Sequence, residues 1–343
     1  MYKASLQKHN LIFKEPGGTS RGILTSKTSY YISLYKDKNP NTKGLGECSI
    51  LPGLSPDERP ELEEKLNYCC QNINDIIPDF HNKLIEWPAI RFAVEMALAD
   101  LENGGKGLLF NSAFTQGKES IPINGLIWMG SADEMHKRIE EKLAEGFKCL
   151  KLKIGALNIE SELELIASIR KSFDQQTIEL RVDANGAFSP QMAGRVLERL
   201  AKLGIHSIEQ PIKAGSWKDM AELCKNTAIP IALDEELIGL HKEAERREML
   251  EAIKPQYIIL KPSLVGGFKS SENWISLAES LGIGWWVTSA LEANPGLNAI
   301  AQWTATLDNN IYHGLGTGQV FSNNTPGHLI VEKGQLKFSQ GEQ

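Results

Sequence analysis

Residues 150–183, LKLKIGALNIESELELIASIRKSFDQQTIELRVD, contain two short apolar runs separated by a helical pattern. The runs cover 150–154 and 179–183, and the amphipathic segment between them predicts a helix over 159–172. A strand, a helix and a second strand in this order are typical of a parallel β-α-β unit. The segment therefore favours a parallel sheet that is covered by helices.

The same alternation of strand and helix patterns continues on both sides of this segment, starting near residue 120. Eight such units fit a closed (β/α)8-type barrel of the α/β class better than an open sheet. An open Rossmann-like sheet is the alternative, but it should show a glycine-rich phosphate turn that this sequence lacks. The expected strands cover 121–127, 150–154, 179–183, 207–209, 229–234, 257–261, 284–289 and 311–315. The expected helices cover 132–145, 159–172, 190–203 and 217–226.

The chain before residue 120 has a different pattern, typical of an α+β module. A strand is predicted at 30–35, and helices are predicted at 60–77 and 88–103. The second helix should end at the Gly104-Gly105 pair, and the polar segment 111–120 is expected to be a linker.

Composition restricts the classes of partner. The chain has 343 residues, of which 41% are hydrophobic, and its net charge of −6 gives no electrostatic reason to expect nucleic acid or an anionic membrane. No stretch approaches the roughly 20 apolar residues that span a bilayer, and the first 18 residues lack the apolar core of a signal peptide. Five cysteines without metal-like spacing fit reduced thiols. We expect a cytoplasmic protein that acts on a small molecule, with an oligomeric state that the sequence does not define.

Acidic residues end three successive predicted strands: Asp183, Glu209 and Asp234. The carboxyl ends of barrel strands line the active-site mouth, and burying a charge without a partner costs several kcal/mol. Three unrelated surface acids are the simpler interpretation, but they would not explain this order. Because the set contains only oxygen ligands, it favours Mg²⁺, which Mn²⁺ can replace, over Zn²⁺. We therefore predict that the three acids bind one divalent cation.

Lysines lie on the predicted strands to either side of these acids. Alternation along LKLKI places Lys151 and Lys153 on the face that points into the barrel, and Lys261 follows the apolar run YIIL across the mouth. A lysine near other cations loses basicity and can accept a proton near neutral pH. A carboxylate bound to a metal can hold the charge that develops when its α-proton leaves. The alternative is that Lys151 and Lys153 only form ion pairs with the acids.

Five motifs resemble, in order, the muconate-lactonising branch of the enolase superfamily: KLKIG, RVDANGAF, IEQPI, IALDEEL and IILKPSLVGG. The segment GLGECSILPG at 44–53 resembles the first domain of that family, and TSRGIL at 19–24 resembles its specificity loop. The resemblance covers essentially the whole chain. It implies an α+β capping domain over 1–118 and a barrel domain over 119–311. A C-terminal segment over 312–343 would complete the barrel and return to the cap.

The resemblance also implies roles for individual residues. Lys153, the second lysine of the KxK motif, would be the principal acid and base, and Lys261 would be the catalytic lysine on the opposite face. The expected metal ligands are Asp183, Glu209 and Asp234. The expected substrate-binding residues are Lys151, Arg181, Asn185 and Ser289, and the segment 316–318 is a further candidate for binding the substrate carboxylates. Arg181 and Asn185 flank Asp183 and could instead orient it.

Within this branch, the stretch SALEANPGLNAIAQ at 289–302 is most similar to the lyases of menaquinone biosynthesis. The implied reaction removes a proton next to a carboxylate and converts 2-succinyl-6-hydroxy-2,4-cyclohexadiene-1-carboxylate to 2-succinylbenzoate and water. N-acylamino acid racemases and dipeptide epimerases begin with the same proton abstraction and stay as alternatives. Epimerases commonly carry an acidic DxD element, whereas Asp308 is followed here by two asparagines. A barrel that binds a ligand without catalysis is the third alternative.

Overall fold

The structure is a computed structural model that describes residues 1–19, 22–155 and 158–340, without the side chains of Thr19 and Ala132. Two residues of the predicted specificity loop, Ser20 and Arg21, therefore lie outside the described residues. No helix within the described ranges is long and apolar enough to cross a membrane.

The N-terminal part begins with a three-stranded antiparallel sheet in the order β1-β2-β3. The strands are β1 Tyr2–Thr19, β2 Gly22–Lys36 and β3 Asn39–Ser49. The helices that follow are α1 Leu62–Gln71, α2 Ile73–Ile76, α3 Phe80–Lys83 and α4 Pro88–Glu102, with a 3-10 helix at Ile77–Asp79. Helix α4 can pack directly on β3 because Gly46 has no side chain. A Cβ atom at this position would lie only 1.8 Å from the carbonyl oxygen of Ala93. This tight contact fixes the sheet against the helix.

A curved sheet of seven parallel strands, β5 to β11, follows within the described residues, with neighbours in chain order. A short strand, β4 Ile121–Pro122, precedes it. The seven strands are β5 Gly125–Ile127, β6 Cys149–Lys153, β7 Glu179–Asp183, β8 Ser207–Glu209, β9 Ile231–Leu233, β10 Tyr257–Leu260 and β11 Gly284–Val287. The helices are α5 Ala132–Ala144, α6 Ile159–Ser172, α7 Pro190–Lys202, α8 Trp217–Asn226, α9 Glu243–Ile253, α10 Pro262–Val265, α11 Gly267–Ser280 and α12 Asn294–Thr304, with a 3-10 helix at Glu235–Leu237.

The ring is closed by single bridges in place of the strand predicted at 311–315. His313 pairs with Ile123, and Gly314 pairs with Thr288, so this segment joins the first and last strands of the curved sheet. The predicted strand length is wrong because Asn309 competes for backbone partners: its amide donates to the Trp285 carbonyl and its oxygen accepts from the Ile311 amide. The fold is therefore a (β/α)8-type barrel with an α+β cap, as the sequence predicted.

The C-terminal tail contacts both parts of the molecule. The Lys14 amide donates to the Val320 carbonyl at 2.9 Å, which ties the tail to β1 of the cap. The tail then forms a hairpin of β12 Leu329–Glu332 and β13 Gln335–Phe338, and β13 pairs with β4 at the start of the barrel. The domain boundaries inferred from the sequence stay a prediction.

Candidate active site

A cavity of about 310 Å³ lies between the carboxyl ends of the barrel strands and the cap. The cap contributes residues 22–24 and 51–53 to its wall. Its largest apolar lining residues are Ile23, Leu24, Leu51, Leu126, Trp128 and Leu291. Its polar lining residues are Asn124, Lys151, Lys153, Lys261, Thr288, Ser289 and Thr317. All three predicted lysines and Ser289 therefore face one cavity.

The strand pairing places the predicted acids beside the lysines. Lys153 is aligned with Asp183 across β6 and β7, and Asp183 is aligned with Glu209 across β7 and β8. Because parallel neighbours in register end at the same height, their side chains meet at the barrel mouth. Asp183 is fully buried, and Glu209 and Asp234 are each 2% exposed.

Two ammonium groups join the three carboxylates into one chain. Lys151 Nζ lies 2.9 Å from Asp183 Oδ2 and donates a short hydrogen bond to Glu209 Oε2. Lys261 Nζ donates a short hydrogen bond to Asp234 Oδ2 and lies 3.6 Å from Glu209 Oε1. The alternative in which Lys151 and Lys153 pair with the acids therefore describes the contacts seen here, and it is compatible with a role in chemistry.

Lys153 differs from the other two lysines in its electrostatic environment. Burial lowers the pKa of Lys153. Asp183 Oδ2, which accepts from Lys153 Nζ at 2.7 Å, opposes this shift, but the nearby ammonium groups of Lys151 and Lys261 add to it, and the pKa stays lowered. Burial also disfavours the charged form of Lys261, but Asp234 and Glu209 outweigh it and raise the pKa of Lys261. Asp183 and Glu209 likewise outweigh burial at Lys151 and raise its pKa. Of the three lysines facing the cavity, Lys153 is therefore the one that most readily gives up its proton.

The donor set fits a hard divalent cation by its chemistry. It consists of buried carboxylates, and one oxygen, Glu209 Oε1, has no hydrogen-bond partner among the described residues. A buried acceptor without a donor typically costs about 1–3 kcal/mol, which a cation would offset. In the described part of the structure, however, no three His, Cys, Asp or Glu side chains are close enough together to bind one metal ion. The ammonium groups of Lys151 and Lys261 lie between the carboxylates and would have to withdraw.

Asn185 contacts Lys153 and does not line the cavity. Its Oδ1 accepts from Lys153 Nζ at 2.7 Å, and its Nδ2 donates to Glu235 Oε1 at 3.1 Å. Asn185 has a φ of 44°, a left-handed conformation that asparagine tolerates better than most residues. The side chain of Asn185 therefore positions Lys153, which the sequence did not suggest, while its backbone amide donates to Asp183 Oδ1 at 3.0 Å. Its contact with the substrate stays a prediction.

Arg181 does not line the cavity, and its contact with the substrate stays a prediction. Arg181 lies inside the barrel below the mouth, where Nε donates to Glu179 Oε1 at 2.7 Å and Nη1 donates to the Tyr312 carbonyl at 2.9 Å. Its guanidinium carbon lies 4.3 Å from the centre of the Trp286 ring. The residue shares a face with Asp183 but sits two residues deeper, which is about 6.6 Å along a strand.

Two further hydroxyl groups line the cavity, those of Thr288, which the sequence did not suggest, and Thr317. Thr317 forms a 2.6 Å hydrogen bond with Ser289, and the Thr288 hydroxyl is buried without a partner among the described residues. Thr288 directly follows β11, so the polar pair after the run GWWV was a usable signal. Thr317 lies within the candidate segment 316–318, and its contact with the substrate stays a prediction.

Comparison with known proteins defines the class of this protein. The family model described as enolase C-terminal domain-like matches residues 134–342. The barrel, the acids at its strand ends and this match agree, and the chain belongs to the enolase superfamily. The resemblance inferred from the motifs is therefore confirmed.

Particular relatives narrow the comparison. The chain is 48% identical to the o-succinylbenzoate synthase of Desulfotalea psychrophila, over 98% of this chain and 98% of that protein. The crystal structure of MenC from Desulfotalea psychrophila matches with a TM-score of 0.85 at 45% identity, covering 98% of this chain and 99% of the other. An L-Ala-D/L-Glu epimerase of Bacillus subtilis is 28% identical over 68% of this chain and 63% of its own length.

Proposed function

We propose that this enzyme eliminates water from 2-succinyl-6-hydroxy-2,4-cyclohexadiene-1-carboxylate to give 2-succinylbenzoate in menaquinone biosynthesis. The observation that carries the proposal is the 48% identity, over nearly the full length of both chains, to a protein named o-succinylbenzoate synthase. The cavity supports it because Lys153 and Lys261 both line the wall where a bound carboxylate would lie.

In the proposed reaction, Lys153 Nζ starts as a neutral amine and takes the proton from the ring carbon that bears the carboxylate. The same ammonium group then gives a proton to the departing hydroxyl, the carbon–oxygen bond breaks, and water leaves. The electron pair of the broken carbon–hydrogen bond becomes the new ring double bond, which completes the aromatic ring. Lys261 stays protonated and stabilises the negative charge on the substrate carboxylate.

Members of the enolase superfamily generally use a divalent metal, and we propose Mg²⁺, with Mn²⁺ as a substitute, for this chain. Asp183, Glu209 and Asp234 would hold it, because they supply three buried carboxylates and one unsatisfied oxygen. When bound, the cation supplies positive charge that lowers the cost of negative charge on the substrate carboxylate.

The cavity wall favours the lyase over a dipeptide epimerase. Among the described residues that line the cavity there is no Asp or Glu to bind a substrate ammonium group. Apolar side chains such as Leu126 and Trp128 suit a cyclohexadiene ring, while the hydroxyls of Thr288 and Ser289 suit the keto and carboxylate oxygens of a succinyl chain. We propose Lys151 and Ser289 as substrate contacts on this basis.

Two further expectations accompany the proposal. We propose a cap over 1–118, a barrel over 119–311 and a tail over 312–343, supported by the separate apolar cluster that β2, α1 and α4 form. We also propose that the reaction takes place in the cytoplasm.

The test is a direct assay of the purified protein with Mg²⁺. We expect 2-succinylbenzoate to form from the hydroxycyclohexadiene substrate, and we expect EDTA to stop the reaction until Mg²⁺ or Mn²⁺ is restored. In parallel, N-succinylamino acids and dipeptides are incubated in D₂O, and α-deuterium is measured by mass spectrometry. Exchange without 2-succinylbenzoate would favour a racemase or epimerase. Neither product nor exchange would favour a barrel that only binds a ligand.

A further inference from the structure

One wall of the cavity is the loop that follows β11, residues 289–293. Ser289, Ala290 and Leu291 all line the cavity. Leu291 has a φ of 61°, in the left-handed region that is unfavourable for a leucine. Because this conformation costs free energy, contacts from outside the loop must hold it in place.

Two buried residues of the cap supply such contacts. Lys27 of β2 is 2% exposed, and its Nζ donates to the Leu291 carbonyl at 2.7 Å and to the Ser49 hydroxyl. Glu47 of β3 is fully buried and accepts from the Ala293 amide at 2.8 Å and from the Gly296 amide at 2.9 Å. The cap therefore holds the loop at its strained residue and again two residues after it.

The loop also holds itself to the segment after Lys261. Glu292 is fully buried, accepts from the Ala290 amide at 2.8 Å, and accepts from the Ser263 hydroxyl at 2.5 Å. Ser263 lies two residues after Lys261. Lys27, Glu47 and Glu292 thus form one buried charged cluster that connects the cap, the loop wall and the strand end that carries Lys261.

We propose that Lys27 is a positioning residue, which holds loop 289–293 in the conformation that binds the substrate. Lys27 does not line the cavity, so it acts through the Leu291 carbonyl. Its kinetic test rests on the proposed function. Without Lys27 the loop would populate other conformations, and the affinity for substrate would fall by the fraction of molecules that are competent. Once bound, the substrate restores the loop, so turnover at saturation should be preserved.

The test compares Lys27→Met with wild type in steady-state formation of 2-succinylbenzoate. A lost hydrogen bond from a buried charged group predicts a rise in KM of about tenfold or more, with kcat within about threefold. The matched control is Asp100→Asn, a buried cap residue that accepts from the Leu45 and Gly107 amides and has no bond to residues 289–296 within the described ranges. KM in the control should stay near the wild-type value. A KM for Lys27→Met that matches wild type, or a loss confined to kcat, would overturn the proposal.

Hydrogen–deuterium exchange provides a second measurement that needs no substrate. In Lys27→Met we expect the amides of 290–293 to exchange faster than in wild type and in Asp100→Asn, because the loop loses its anchor. If Lys27→Met does not fold, Glu47→Gln weakens the same loop from the cap, since one amide oxygen cannot replace two carboxylate oxygens. Unchanged exchange of the loop in the folded variant would overturn the positioning role. If wild type forms no 2-succinylbenzoate, the proposed function fails while the exchange result still decides the role of Lys27.

Discussion

Replacing Lys151 with Met tests whether the acids at the barrel mouth form a cation site. Lys151 is 6% exposed, and its ammonium joins Asp183 to Glu209. Removing one partner of a buried ion pair typically costs about 3–5 kcal/mol, so the metal-free variant should be destabilised by about that amount. A divalent cation then has only the Lys261 ammonium group to displace, and no longer that of Lys151. We expect its affinity to rise about tenfold, which is about 1.4 kcal/mol.

The assay is urea unfolding of wild type and variant, each in EDTA and at one fixed Mg²⁺ concentration. If that concentration is 100 times the wild-type dissociation constant, Mg²⁺ should add about 2.7 kcal/mol to wild type and about 4.1 kcal/mol to Lys151→Met. Lys27→Met is the matched control, because it removes an equally buried lysine that has no contact with the three acids. Equal Mg²⁺ stabilisation of wild type and Lys151→Met would refute the reasoning.

Two further predictions concern His313 and Thr288. Burial lowers the pKa of His313 to about 4, so the folded protein favours the neutral ring. The neutral ring therefore contributes fully to the free energy of unfolding above pH 6.5, and this contribution is lost as the pH falls from 6.5 to 4. Between pH 6.5 and pH 4, the free energy of unfolding in urea should fall by about 3 kcal/mol less in His313→Gln than in wild type. Equal falls in the two proteins would contradict this prediction. Thr288→Val removes a buried hydroxyl that has no partner in the described structure, so stability should rise by about 1 kcal/mol in urea unfolding. If that hydroxyl binds the substrate, KM should rise about tenfold, and an unchanged KM would exclude the contact.

The strand ends of the barrel could be predicted because their chemistry is unusual for a buried position. The predicted bounds of β7 and β8 match the structure, since apolar runs there end directly in Asp183 and Glu209. The predicted helix over 60–77 is interrupted, because Asn72 separates α1 from α2. The long hairpin of β1 and β2 was mostly missed, because the apolar alternation at Tyr2, Ala4 and Leu6 changes phase before Leu11 and Phe13.

Depth within the barrel is what the sequence pattern could not supply. Alternation places Arg181 and Asp183 on one face of β7, but it does not say which of the two lies nearer the mouth. The pattern also could not show that Thr317 contacts Ser289 or that Lys27 contacts Leu291, because these partners lie far apart in the chain. Such contacts depend on closure of the ring and on docking of the cap, which are tertiary features.

The reaction's dependence on Lys153 can be measured by following 2-succinylbenzoate formation in Lys153→Ala at saturating substrate and Mg²⁺. We predict a fall in kcat of at least about a thousandfold, with folding and Mn²⁺ binding retained, because the amine that moves the proton is gone. A variant that forms the product at a rate near wild type would contradict the account.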